Sequence, residues 1–314
     1  MRLVFAGTPE FAVPSLRALA RAGHAIPLVM TQPDRPKGRG MRPAPPPVKV
    51  EAQALGLEIW QPEHLEPHEL TGVLRSTGAE ALVVVAYAHK IPAEVLGLPR
   101  YGCINVHASL LPRWRGAAPI AWALLEGDRV TGVTIMRMDE GWDTGPILLQ
   151  RAAVIGPEET AASLHDRLSE TGAELLVEAV ARLEAGTLQP LEQPEEGVRL
   201  APRLQKEQGR VDWTQPAERI ARRCRAFYPW PGCFTTHEGR LIKVVEARVA
   251  GQTVTGRRPG EVLGVEPGAG ELRVACGDGT VLSLARVQPE GSRSMTGLEL
   301  WNGLHLEPGS ILGA

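Results

Sequence analysis

Asparagine is nearly absent from this chain of 314 residues: only Asn105 and Asn302 occur, so an asparagine inside a motif stands out. Lysine is scarce too, five against 29 arginines. That bias suits a thermostable protein, and a GC-rich gene accounts for it equally well. The four cysteines, at 103, 224, 233 and 276, form no C-x-x-C pair and no metal-ligand spacing. No zinc site or disulfide framework is expected from them. His64 and His68 are four apart, but Pro67 lies between them and favours a loop or helix end over a metal-binding helix face. The longest apolar stretch, about 81–88, is far short of the roughly 20 residues a membrane-spanning helix needs. Residues 1–7 enter a strand directly, without the apolar core of a secretion signal. A cytoplasmic protein with reduced cysteines and no membrane association is therefore expected.

What is present is ordinary for a globular chain: 43% hydrophobic and 22% charged residues. The length suffices for two domains, each with its own core. Charge is unevenly placed. Residues 1–202 hold 19 Lys/Arg and 24 Asp/Glu, a net of −5, and residues 203–314 hold 15 and 12, a net of +3. A mildly basic second half is weak evidence for a polyanionic partner.

The pattern along the chain predicts a strand at 2–6 and a turn in which Thr8 caps a helix that opens on Pro9. A second strand is expected at 26–30. This β-α-β start implies a parallel sheet with a right-handed crossover, but no G-x-G-x-x-G accompanies it, so a dinucleotide fingerprint is absent. Further strands are expected at 81–86, 102–107, 133–138 and 147–152, then a long amphipathic helix over about 158–185. Residues 187–203 lack periodicity and carry Pro190, Pro194 and Pro202; they read as a linker. Beyond it come one helix, about 216–227, and short β-type runs with glycine-rich turns, which suggest a small barrel. The expected division is 1–186, 187–203 and 204–314.

The most informative segment is Asn105-Val106-His107-Ala108-Ser109-Leu110-Leu111-Pro112, followed 36 residues after His107 by Asp143. Residues 103–107 read as a strand, and alternation puts Asn105 and His107 on one face. Ligand groups in open α/β sheets gather just past strand C-termini. A carboxamide, an imidazole and a carboxylate, with no serine or cysteine nucleophile, suit direct transfer of an acyl carbon to an amine. The carboxamide can donate to a developing oxyanion, the imidazole can relay the amine proton, and the carboxylate can orient the imidazole.

The runs N-V-H-A-S-L-L-P-R-W-R-G-A-A-P-I (105–120) and D-E-G-W-D-T-G-P-I-L (139–148) resemble the core of the folate-dependent formyltransferases. The resemblance implies that Asn105, His107 and Asp143 are catalytic, and that the formyl donor is 10-formyltetrahydrofolate, with no metal. It places the folate against Ser109, Leu110, Leu111 and Pro112 and the strand end at Val85, Ala86 and Tyr87. The family often has Gly after the His; this chain has Ala108, small enough to change little. The implied fold is a Rossmann-like α/β domain with a parallel sheet, followed by a C-terminal OB-like β-barrel domain.

Residues 31–49 form a Pro/Gly-rich insert in which Arg35, Lys37, Arg39, Arg42 and Lys49 oppose one acid, Asp34. Six prolines and two glycines in it argue against any regular element. A long connection of this kind is a functional loop or a disordered one, and a cationic arm suits a phosphodiester ligand as well as it suits plain solvation. The resemblance continues through A-G-T-P-E-F (6–11), V-V-V-A-Y (83–87), R-A-F-Y-P-W-P (225–231) and A-C-G-D-G (275–279), so it covers nearly the whole chain. Within the family, the basic loop is similar to that of the members that formylate methionyl-initiator tRNA for translation initiation. That implies tRNA contacts by Arg35, Lys37, Arg39 and Arg42, Arg39 foremost. In the second domain Arg219, Arg222 and Arg223 fall on one helix face by their spacing, where Arg222 is the expected tRNA contact and pairing with acids or with the first domain is the equal alternative. Amine formyltransferases acting on nucleotide sugars share the three residues and a similar C-terminal domain, and the long loop argues against them. A monomer is expected.

Overall fold

The computed structural model describes residues 1–37 and 42–313, with Lys37 and Arg42 described by their backbone alone. Arg39, the foremost tRNA residue expected from the sequence, lies outside the described residues. Two units emerge: residues 1–119, 130–154 and 165–201 form one, and residues 120–129, 155–164 and 202–314 the other.

The first unit is built on strands β1 (Arg2–Gly7) and β2 (Ala25–Met30). Five of the six residues of β1 are buried, as befits a strand covered on both faces. A short antiparallel pair follows, β3 (Arg35–Lys37) and β4 (Arg42–Ala44), with Pro36 opposite Pro43. The sequence argued against any regular element here. A two-stranded ribbon tolerates proline because both of its strands are edges, where a missing N–H costs little. The remaining strands are β5 (Ile59–Trp60), β6 (Ala81–Val85), β7 (Cys103–His107), β8 (Val130–Arg137) and β9 (Ile147–Val154). The sheet order is β5-β2-β1-β6-β7-β8-β9. The first five strands of that order run parallel. The last two are antiparallel, so the parallel sheet expected from the sequence carries a mixed edge.

Helix α1 (Val13–Arg21) starts later than expected, after a 3-10 turn at Glu10–Ala12, and Thr8 does not cap it. The reason is Pro14. A helix opening at Pro9 would bury Pro14 in its interior, where it breaks a hydrogen bond and clashes; starting at Val13 leaves Pro14 in the first turn, where its missing N–H is harmless. Helix α2 (Pro47–Ala54) begins before the expected insert ends, and α3 (Pro67–Thr77) follows. On one face of the sheet Val4, Ala6, Leu28, Met30, Leu82, Val84 and Cys103 pack with Leu70 and Leu74 of α3. Burying a leucine such as Leu70, fully enclosed here, contributes about 1.5–3 kcal/mol. Of the next helices, α4 (Pro119–Glu126) lies mostly in the second unit, and α5 (Ala161–Glu184) crosses from one unit to the other. On the opposite face of the sheet α5 comes so close to β7 that a side chain at Gly172 would meet Val106 Cγ1 at 2.9 Å. Asn105 and His107 share the parity of Cys103, so they face away from α5.

The second unit holds α6 (Ala217–Phe227) and strands β10 (Cys233–His237), β11 (Arg240–Thr253), β12 (Val262–Val265), β13 (Leu272–Ala275), β14 (Thr280–Pro289) and β15 (Met295–Thr296). The path is β10-β11-β14-β13-β12, antiparallel throughout, with β15 paired to β14. Bulges in β11 near Glu246 and after Ala250 bend the sheet, as barrel-like curvature requires. Ile220, Ala221, Cys224 and Phe227 of α6 are buried. The capping box between Thr296 and Glu299 starts α7 (Gly297–Gly303). Among the described residues no helix is long and apolar enough to cross a membrane.

Candidate active site

Strand β7 delivers Asn105 and His107 toward its C-terminal end, His107 buried and Asn105 half-buried. The loop between β8 and β9 brings Asp143 to His107: its Oδ2 lies 3.7 Å from His107 Nδ1. The other ring nitrogen, Nε2, is 2.9 Å from the carbonyl oxygen of Trp114. A carbonyl only accepts, so Nε2 carries a proton and donates it there. In the neutral ring Nδ1 is then the free base, and it faces Asp143. When His107 is protonated, the two form an ion pair. Asp143 adopts φ 55°, a left-handed conformation, and its Oδ2 also accepts from the Gly116 amide at 2.9 Å. Gly116 itself has φ 121°, and a Cβ there would meet the Ala201 carbonyl oxygen at 2.7 Å, so only glycine fits.

The loop carrying Asp143 is held by residues that the sequence did not single out. Gln193 Nε2 donates to the carbonyls of Asp143 and Gly145, both at 2.8 Å. Its Oε1 accepts from Arg115 Nε at 3.0 Å and Nη2 at 2.8 Å. The stretch read as a linker thus packs back onto the first unit: Leu191 bridges to Ile147, and Ala201 pairs with Arg115. Arg115, through these two bonds to Gln193, is a support for the Asp143 loop. Arg113 lies over the Trp114 ring, 4.5 Å from its centroid.

A second knot shapes the segment after β7. Thr134, fully buried, donates to the Ser109 carbonyl at 2.6 Å and accepts from the Leu111 amide at 3.1 Å. Gln150 Nε2 reaches Thr134 Oγ1 at 2.9 Å and the Leu111 carbonyl at 2.8 Å. Ser109 is itself buried, and its hydroxyl donates to the Arg113 carbonyl at 2.6 Å. Ser109 and Leu111 are thus enclosed, while Leu110 and Pro112 keep partial exposure.

The third rim is the turn after β6. Val85 is buried, Ala86 is exposed with φ 47°, and Tyr87 is half-buried. Burial pushes the Tyr87 phenol up to about 12, so it is a neutral donor at ordinary pH. Tyr87 Oη and His89 Nε2 are enclosed without a hydrogen-bond partner, and the two rings meet edge to face at 5.4 Å. Such orphaned polar atoms cost free energy unless a ligand or water meets them.

The β3–β4 hairpin follows β2, which β1 and β6 separate from β7 in the sheet. Arg35 is exposed. Lys49 belongs to α2 and is tied to Asp34 at 2.7 and 2.8 Å, so it is not a free cation of this loop. In the second unit Arg222 of α6 is half-buried against Gly127, and its Nε is enclosed without a partner. Burial raises the thiols of Cys103 and Cys276 to about 12, which makes them unreactive. Among the described residues no group of three or more His, Cys, Asp or Glu is placed to hold a metal.

Residues 1–180 match the formyl transferase family and residues 203–305 the formyl transferase C-terminal domain. The chain belongs to the formyl transferase family. It is 52% identical over 305 residues to the methionyl-tRNA formyltransferase of Anaeromyxobacter dehalogenans, covering 97% of each chain. It is 49% identical over 315 residues to that of Solibacter usitatus, covering 100% of this chain and 99% of the relative. Among solved structures, an N-formyltransferase from Helicobacter canadensis in complex with folinic acid and dTDP-3-aminofucose matches with a TM-score of 0.66 at 16% identity, over 90% of this chain and 98% of that one. HypX from Aquifex aeolicus in complex with tetrahydrofolic acid matches with a TM-score of 0.63 at 20% identity, over 96% of this chain and 47% of that one. These two likenesses concern the fold.

Proposed function

We propose that this enzyme transfers the formyl group of 10-formyltetrahydrofolate to the α-amine of methionyl-initiator tRNA, and that Asn105, His107 and Asp143 carry the chemistry. The observation that bears most weight is the fixed tautomer of His107. With Nε2–H committed to the Trp114 carbonyl, the nitrogen beside Asp143 is the one able to exchange a proton.

Bound 10-formyltetrahydrofolate supplies the formyl carbon on N10. The orphaned Tyr87 Oη and His89 Nε2 fit a polar, partly aromatic ligand of this kind, and the backbone of Val85 and Ala86 together with the Ser109–Pro112 loop would form the remaining walls. Asn105 donates to the formyl oxygen as negative charge develops there. A free α-amine has a pKa of about 7.7–8.0, so a useful neutral fraction exists near pH 7. As the amine nitrogen bonds to the formyl carbon, His107 Nδ1 accepts or relays the proton the amine sheds; it returns a proton to N10 as the N10–carbon bond breaks. Asp143 stabilises the imidazolium between those two events. Arg35, Lys37, Arg39, Arg42 and Arg222 are the proposed phosphate contacts, which position the acceptor arm without reading its sequence.

The test compares acceptors. Purified enzyme with 10-formyltetrahydrofolate should formylate methionyl-initiator tRNA and leave free and nucleotide-linked amino sugars unmodified. Turnover of an amino sugar with none of methionyl-tRNA would overturn the reading.

A further inference from the structure

A neutral His107 has one ring proton to place and two acceptors that compete for it. On one side is the Asp143 carboxylate, 3.7 Å from Nδ1. On the other is the Trp114 carbonyl, 2.9 Å from Nε2. At equal distance an ionised carboxylate is the stronger acceptor. Here 3.7 Å is too long for a hydrogen bond, so the weaker acceptor takes the proton because it is held closer. The tautomer therefore depends on whatever fixes the Trp114 carbonyl.

That carbonyl is aimed by an unusual backbone. Trp114 has φ 67°, in the left-handed region, where a bulky side chain is an outlier. Both peptide planes that meet at its Cα are pinned at their far ends. In the plane shared by Trp114 and Arg115, the C=O and the N–H point in opposite directions. The C=O accepts from His107 Nε2, and the N–H donates to the Arg199 carbonyl at 2.9 Å. In the preceding plane, the Arg113 carbonyl accepts from Ser109 Oγ at 2.6 Å. The indole anchors the Cα between these two planes. It is only 5% exposed, and the Arg113 guanidinium lies 4.5 Å from its ring centroid.

We propose that Trp114 is a positioning residue that decides which nitrogen of His107 exchanges protons: its buried indole offsets the strain of the left-handed backbone, and the carbonyl so aimed keeps the proton on Nε2 and the lone pair on Nδ1. The inference rests on the formyl-transfer reading and goes beyond it, from which nitrogen works to what selects that nitrogen. A variant with a side chain but no indole relaxes toward an ordinary φ and turns the carbonyl away. His107 then gives up its Nε2 proton and takes one on Nδ1, where the carboxylate is the remaining acceptor. The lone pair ends on the ring edge opposite Asp143, and the relay loses its base.

Nitrogen NMR of enzyme labelled at histidine, at about pH 8.5 where imidazoles are neutral, reads the tautomer directly. The His107 signal is assigned by its loss in His107→Gln. The wild type should show Nε2–H. Trp114→Ala should move His107 to Nδ1–H and slow single-turnover formylation by about 10²-fold, the lower end of what general acid–base catalysis contributes. Trp114→Gly removes still more of the side chain, but glycine adopts the left-handed backbone without strain. It should keep Nε2–H and run about 5- to 30-fold faster than Trp114→Ala, the factor that separates glycine from other residues in that region. A residue that only fills the core gives the other order, with glycine no faster than alanine. That order overturns the proposal, and so does an Nε2–H signal that survives in Trp114→Ala. An Nδ1–H signal in the wild type also overturns it and requires no variant to fold. The NMR measurement uses no substrate, so it is independent of the formyl-transfer reading, which wild-type turnover of methionyl-tRNA tests separately.

Discussion

Gln193→Ala isolates the support of the Asp143 loop from the chemistry. The substitution removes the donors to the Asp143 and Gly145 carbonyls and the acceptor of two Arg115 donors. At a net ~1 kcal/mol for each bond to a carbonyl, the loop loses about 2 kcal/mol of restraint. Holding Asp143 at a left-handed φ of 55° costs on the order of 1–3 kcal/mol, so restraint and strain are of similar size and the loop becomes free to relax. The His107–Asp143 separation is already 3.7 Å, which leaves little margin. A displacement of about 1 Å at a reacting group can cost ~10²-fold. Single-turnover formylation should therefore slow by about 10- to 100-fold in Gln193→Ala, with the KM values for folate and tRNA nearly unmoved. Gln193→Glu keeps an acceptor for Arg115 but loses the donors and sets a carboxylate oxygen against two carbonyls, so it should resemble Gln193→Ala in rate and also melt below the wild type. A normal single-turnover rate in Gln193→Ala, alongside a lowered melting temperature, would refute the positioning role and leave Gln193 a purely structural tie.

Three further outcomes are expected. Asn105→Asp should lower kcat by at least about 10²–10³-fold, the value of one oxyanion donor, while equilibrium dialysis still finds folate bound; wild-type turnover would remove Asn105 from that role. Thr134→Val, equal in size, leaves the Leu111 amide without its acceptor and the Ser109 carbonyl without a donor, so denaturant melts should show a loss of about 1–3 kcal/mol and the KM for folate should rise. The Glu51 carboxyl lies below its ordinary range because Arg17 bonds to it at 2.7 and 2.8 Å. A depressed carboxylate stabilises the fold above its unfolded pKa of about 4.3 and loses that contribution as pH falls through the folded value. Glu51→Gln should thus be less stable than the wild type near pH 7, and the difference should close toward pH 3; a gap constant from pH 7 to pH 3 would show the pair to be neutral.

The parts of the site legible in the sequence were those written locally. Residues 103–107 alternate so plainly that the strand and the shared face of Asn105 and His107 follow from the pattern. Asp143 stood out as a carboxylate 36 positions after His107, but no local pattern places it beside the imidazole, and the resemblance carried its assignment. Gln193 escaped for the same reason: its partner Asp143 lies 50 residues away, and the prolines around it look like a linker. Thr134 passed as an ordinary strand residue, since nothing in a strand pattern marks a hydroxyl that ties a neighbouring loop. The β3–β4 hairpin was hidden by its prolines, and the reversed direction of β8 and β9 by the fact that strand direction leaves no mark on burial periodicity. Helix α1 was misplaced for a different reason: Pro14 overrode an attractive cap at Thr8.

The reversal of β8 explains why an aspartate serves at position 143. Because β8 runs antiparallel to β7, its last residue, Arg137, lies opposite Ile104, near the beginning of β7. His107 is at the other end. The loop over 138–146 must travel the length of β7 for Asp143 to reach it, starting from the Met138 amide bonded to the Cys103 carbonyl at 2.7 Å. It must then turn back at once, because Gly145 lies tight against the Arg137 carbonyl. That turn is made by the left-handed Asp143. Aspartate and asparagine are the non-glycine residues that tolerate this backbone best, so position 143 selects for one of two side chains before any chemistry is considered. Asp143→Asn is therefore the clean test of the carboxylate. It preserves the turn and an oxygen to accept from the Gly116 amide, and it removes only the charge facing His107 Nδ1. The variant should melt within about 1 kcal/mol of the wild type, the scale of a single net hydrogen bond, and should lose on the order of 10²-fold in single-turnover rate, as expected for an assisted proton transfer. A variant that keeps both the fold and the rate would reduce Asp143 to a turn residue. Asp143→Ala, which fails at the turn as well, should lose both.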